Sequence, residues 1–124
     1  MAKNDKYIQR YQELIRVMRG LSRHERKHHF DMANWGVETD CGTVCCAAGH
    51  AGQDAWFRRR GFSFHSQGNT LFFGGEISWG AVGLFFDGEP VSYYSNHPVF
   101  KQPNSVGEVI RAAQKRIREL KAIP

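Results

Sequence analysis

"TDCGTVCCAAGHAG", Thr39 to Gly52, holds all three cysteines of the chain and one of its six histidines. The stretch admits three readings, and each implies a different molecule. It can be a metal site, a nucleophile with its base, or a helix of small residues on which another element packs closely. Asp40 or Thr43 can cap a helix, and the spacing predicts one from Thr43 to Arg60. Its Val44, Ala47, Ala48, Ala51 and Ala55 form a narrow face of small side chains. Gly49 and Gly52 each cost about 1 kcal/mol relative to Ala in a helix. A helix that accepts them implies close approach by a neighbour.

Outward from this stretch, the chain alternates helix signals with a hairpin signal. Asn4 or Asp5 can open a first helix, on which Tyr7, Tyr11, Leu14, Ile15 and Met18 recur on one face before Gly20 stops it. "SRHE", Ser22 to Glu25, has the pattern of a capping box for a short polar helix. "FSFHSQGNTLFF" reads as a β-hairpin, with Phe62 and Phe64 alternating with Ser63 and His65, and Thr70 to Phe73 returning. "ISWGAVGLFFDG" fits a short helix with Ile77, Ala81, Leu84 and Phe85 on one side. Pro90 to Pro98 reads as irregular. "SVGE", Ser105 to Glu108, opens a final helix, with Val106, Val109, Ile110, Ala113, Ile117 and Leu120 along one face. The expected fold is α+β: a single compact domain over residues 1–124, its helices packed around a small antiparallel hairpin or sheet, with amphipathic helices at both ends.

Composition agrees with one such domain. The chain has 124 residues, 41% hydrophobic and 23% charged, with nine Phe for an aromatic core. No apolar run is long enough to span a bilayer, and the start lacks a signal-peptide core. An odd cysteine count with two adjacent argues against a disulfide scaffold and for a cytoplasmic setting. The net charge of +5 permits a nucleic-acid or acidic protein partner.

Taken in order, "FDMANWG", "CGTVCCAAGHAG", "AWFRRRGF" and "SVGEVIRAAQKRI" resemble a family of small uncharacterised proteins of bacteria and their phages. Cys41-Gly42-Thr43 with Cys45 or Cys46 following is the most specific part. The resemblance implies fold and biological context, and it carries no activity.

Three sets of side chains are candidates for function. Zinc takes Cys and His ligands, and Cys41, Cys45, Cys46 and His50 supply four, with Cys46 and His50 one turn apart on a helix. The Cys-x-x-Cys spacing of zinc knuckles is absent, however. Cys41 near a helix start would have a lowered thiol pKa, with His65 or His97 as its base in a Cys–His hydrolase-like site. No third residue is evident to orient that base. Reduced cysteine also packs as a small hydrophobe, and this packing reading is favoured, with no metal or other cofactor required. The third set is basic and aromatic. Trp56 precedes Arg58, Arg59 and Arg60, and Arg111, Lys115 and Arg118 form a stripe on the last helix. These point to a non-enzymatic binding protein acting on a host protein or nucleoprotein.

Overall fold

The computed structural model describes residues 4–30, 37–39, 42–44, 46–65, 70–90, 97–100 and 103–123. Its elements are α1 (Asp5–Arg19), α2 (Arg23–His28), β1 (Val37–Thr39), β2 (Gly42–Val44), α3 (Ala47–Ala51), α4 (Ala55–Arg59), β3 (Ser63–His65), β4 (Thr70–Phe73), β5 (Glu76–Ile77), α5 (Ser78–Asp87) and α6 (Val106–Ala122). The fold is α+β, as expected.

The terminal helices form where their apolar spacing predicts. Helix α1 buries Tyr11, Leu14, Ile15 and Met18 and packs along α6, which buries Val106, Val109, Ala113, Ile117 and Leu120. Asn4 does not cap α1 through its side chain. Its Nδ2 donates instead to the Leu120 carbonyl of α6 at 3.3 Å. The capping box of α2 is complete: Ser22 Oγ accepts from the Glu25 N–H, and Glu25 Oε1 accepts from the Ser22 N–H. Ser105 Oγ likewise accepts the Glu108 N–H at the start of α6.

The predicted helix from Thr43 to Arg60 is a correction. Residues 42–44 form a strand paired antiparallel with 37–39, Glu38 opposite Thr43. Helix α3 begins only after Cys46, whose Sγ accepts the Gly49 N–H at 3.4 Å. It ends at Gly52, and Asp54 caps a separate α4 by accepting the Trp56 N–H at 3.0 Å. The break has a tertiary cause. The Gly52 carbonyl accepts the Phe64 N–H of the neighbouring sheet region at 2.9 Å. A Cβ on Gly52 would stand 2.7 Å from Leu71 Cδ2 and 2.8 Å from the Phe64 nitrogen. The small residues serve close packing: Ala47, Ala48, Gly49 and Ala51 are all buried.

The expected hairpin forms, and its register sets Phe64 opposite Leu71 and His65 opposite Thr70. A further strand, β5, adds to β4 with Phe72 opposite Ile77, so the sheet order is β3-β4-β5. This also corrects the apolar face expected for α5. Ile77 belongs to the strand and is 58% exposed, because Ser78, at φ 53°, turns the chain between strand and helix. Of the expected face, Ala81 and Phe85 are buried, and α5 also buries Val82, Gly83 and Phe86. The core between α1, α5, α6 and the sheet is aromatic. Phe62 packs tilted against Phe85 at 4.8 Å and Phe86 against Phe100 at 4.7 Å. No helix among the described residues is long and apolar enough to cross a membrane.

Candidate binding surface

The short helix α4 ends in Arg58 and Arg59, with Arg60 as its C-cap residue. All three are exposed. The Arg60 guanidinium lies 3.7 Å from the centre of the Trp56 ring, and its Nη1 donates to the Trp56 carbonyl at 3.0 Å. Trp56 in turn meets Phe57 edge-on at 5.0 Å. Stacking and a backbone bond together hold a planar fork of donors in one orientation.

The carboxylate nearest in sequence, Asp54, does not serve these arginines. Arg16 of α1 grips it through two hydrogen bonds, at 2.7 and 3.3 Å, and also bonds Glu13 at 2.6 Å. Burial alone would raise the Asp54 pKa, but the Arg16 hydrogen bond and charge, with the Trp56 N–H, hold it below the usual carboxylate value. Among the described residues, Arg58, Arg59 and Arg60 make no ion pair.

Arg10 of α1, which no sequence motif marks, belongs to the same basic and aromatic region. Its guanidinium lies 4.1 Å from the Phe85 ring centre, 5.6 Å from Tyr7 and 5.7 Å from Phe73. Nη1 donates to the Phe85 carbonyl at 2.6 Å, in the last turn of α5. Burial lowers the Arg10 pKa; Tyr7 opposes this and the like charge of Arg60 adds to it. The one signal in the sequence was Tyr7 three positions before Arg10, a spacing that puts both on one helix face.

The stripe expected on α6 is divided. Arg111 borders a cavity of about 430 Å³ with Pro98, Pro103, Glu108 and Ala112. Lys115 and Arg116 border a second, of about 220 Å³, with Pro98, Ala112 and Glu119. Arg118 is exposed but lines neither. Arg116, unremarked in the sequence, faces Asp87 at 3.5 Å and Glu119 at 3.6 Å.

His97 is committed elsewhere. Its Nδ1 accepts the backbone N–H groups of Val99 and Phe100 at 3.1 and 3.3 Å, which leaves Nε2–H to donate to Asp87 Oδ2 at 2.8 Å. With both nitrogens used, this imidazole is a clamp for residues 97–100. Asp87 also accepts from Tyr11 Oη at 2.8 Å. Burial would raise the Asp87 pKa, yet His97, Tyr11 and Arg116 hold it low. His65 is exposed on the sheet, its Nε2 3.0 Å from Ser63 Oγ and its ring edge-on to Phe72.

Cys41 and Cys45 lie outside the described residues. Cys46 is buried and occupied as the cap of α3. His50 Nε2–H donates to the His29 carbonyl, 2.7 Å away, and its ring stacks on Phe30. Burial lowers its pKa, while the His29 carbonyl and Glu25 act in the opposite sense. Among the described residues no three His, Cys, Asp or Glu side chains converge on a metal position. The chain matches no protein-family model, curated protein or solved structure with which it was compared.

Proposed function

We propose that this chain is a small non-enzymatic binding protein of bacterial or phage origin. It engages a host protein or nucleoprotein in the cytoplasm through the basic and aromatic surface at the end of α4. An inhibitor of a host defence protein is its most concrete form, a version that rests on the size and charge of the chain and the phage context of the family it resembles. The observation that carries the binding reading is local. Three exposed arginines follow one another at a helix end, one is stacked on Trp56, and the adjacent carboxylate is bonded to Arg16 instead. Arg and Trp are the side chains most enriched among interface residues that dominate affinity. Capture of partners from the native host with wild type and with Arg58→Glu/Arg59→Glu tests this. The double reversal is expected to fold and to lose the captured partner; equal capture by both proteins would overturn the assignment.

The alternative, a cysteine enzyme or a zinc protein built on Cys41 to His50, makes a separate prediction. It requires a thiol that labels rapidly in the native protein near neutral pH, or stoichiometric zinc in elemental analysis. Slow labelling of all three thiols in metal-free protein favours the packing role that burial of Cys46 supports.

A further inference from the structure

Arg10 is half-buried and no carboxylate bonds it among the described residues; its one protein acceptor there is the Phe85 carbonyl. Taking a cation partly out of water is costly unless a counter-charge accompanies it. The negative end of the α5 dipole compensates in part, but a guanidinium has five N–H donors. Arg60 is exposed, and it too has one acceptor among the described residues, the Trp56 carbonyl.

The two guanidinium groups are held by one continuous set of rings. Arg60 covers Trp56, Trp56 meets Phe57, Phe57 meets Phe85 at 5.5 Å, and Arg10 covers Phe85. Phe73 closes the set. It lies beneath Arg10 and within 3.8 Å of where a Cβ would stand on Gly61, the residue after Arg60. Neither fork can relax far without giving up its stack, so two like charges are kept in one region. The nearby acids, Glu13 and Asp54, are bonded to Arg16. Among the described residues no carboxylate pairs with either guanidinium.

We propose that Arg10 and Arg60 form a two-pronged receptor for a carboxylate carried on an acidic segment of the partner protein. This rests on the binding reading above and names the chemistry of the partner. A guanidinium fork matches a carboxylate in two parallel hydrogen bonds. One feature selects a protein carboxylate over a nucleic acid. The faces of Trp56 and Phe85 used by the guanidinium groups are not open to a stacked base.

The test uses the full chain and blocked hexaglutamate as probe, with hexaglutamine and a single-stranded oligonucleotide of equal charge alongside. Hexaglutamate is expected to bind saturably and to shift the Nε–Hε resonances of Arg10 and Arg60. Arg60→Gln is expected to weaken that binding about tenfold, and Arg111→Gln to leave it unchanged. Arg10→Gln should act like Arg60→Gln; if it unfolds the chain, the exposed Arg60→Gln still decides. Hexaglutamate that fails to saturate, binds Arg60→Gln as it binds wild type, or binds less tightly than the oligonucleotide would overturn the receptor. Should that happen while Arg58→Glu/Arg59→Glu still abolishes partner capture, the receptor alone falls and the binding surface stands.

Discussion

Asp87 joins parts of the chain that are distant in sequence. Its carboxylate accepts from Tyr11 of α1 and His97, and faces Arg116 of α6. Tyr11 is fully buried, and burial, then the Asp87 charge and hydrogen bond, push its phenol pKa up, so it stays a neutral donor. Asp87→Ala strands that hydroxyl and is expected to destabilise by about 1–3 kcal/mol, read as a lower urea midpoint with an unchanged slope. His50 supplies a pH dependence at the same scale. Burial holds its pKa below the ordinary 6.5, so the unfolded chain binds the proton more readily. The contribution is complete above 6.5 and is lost as pH falls through the lower folded value. Glu25 and His29 face it, with opposite effects. The fall in urea midpoint from about pH 7 to about pH 5 should be smaller in His50→Gln than in wild type. Equal falls in both proteins would show that His50 does not contribute.

Among the elements, the stretch 42–60 departs furthest from the pattern of its residues. Helical periodicity is present in Ala47, Ala48, Ala51 and Ala55, and a continuous helix satisfies it. The sheet breaks it by taking the Gly52 carbonyl, a hydrogen bond between residues twelve positions apart that no local pattern announces. Gly52→Ala places a methyl against Leu71 and the Phe64 backbone. Leu71 can turn aside, but the backbone nitrogen cannot. The substitution should cost about 1–3 kcal/mol, and an unchanged melting temperature would mean that the contact relaxes freely. Helix α5 carries a similar lesson. Gly88 ends it at φ 80°, and a side chain there would meet Tyr7 Oη at 2.6 Å. The glycine therefore serves a contact with α1 as well as a helix stop.

At the scale of the whole molecule, the excess of positive charge is unevenly used. Arg16 and Arg116 are paired, whereas Arg58 and Arg59 are exposed without an ion pair among the described residues. Partner binding through them should weaken as salt rises from about 50 to about 300 mM, because exposed charges are screened within about 10 Å or less. Arg111→Glu/Lys115→Glu, on α6, should leave capture intact; loss of capture there, with the α4 reversal harmless, would move the working surface to α6. Much of this architecture was determined by sequence alone. Apolar spacing defined α1 and α6, Ser22 and Ser105 marked the starts of α2 and α6, and alternation set Phe62 and Phe64 on one face, since these signals act within a few residues through local backbone bonds and side-chain period. Arg58, Arg59, Arg60 and Trp56 were legible as a basic and aromatic cluster for the same reason. Only the tertiary structure decided the rest. It split the predicted helix at Gly52, gave Asp54 to Arg16, placed Arg10 among Tyr7, Phe73 and Phe85, and occupied both nitrogens of His97. Each of these depends on hydrogen bonds, ion pairs or ring contacts between side chains distant in sequence, whose energy exists only after the chain has brought them together.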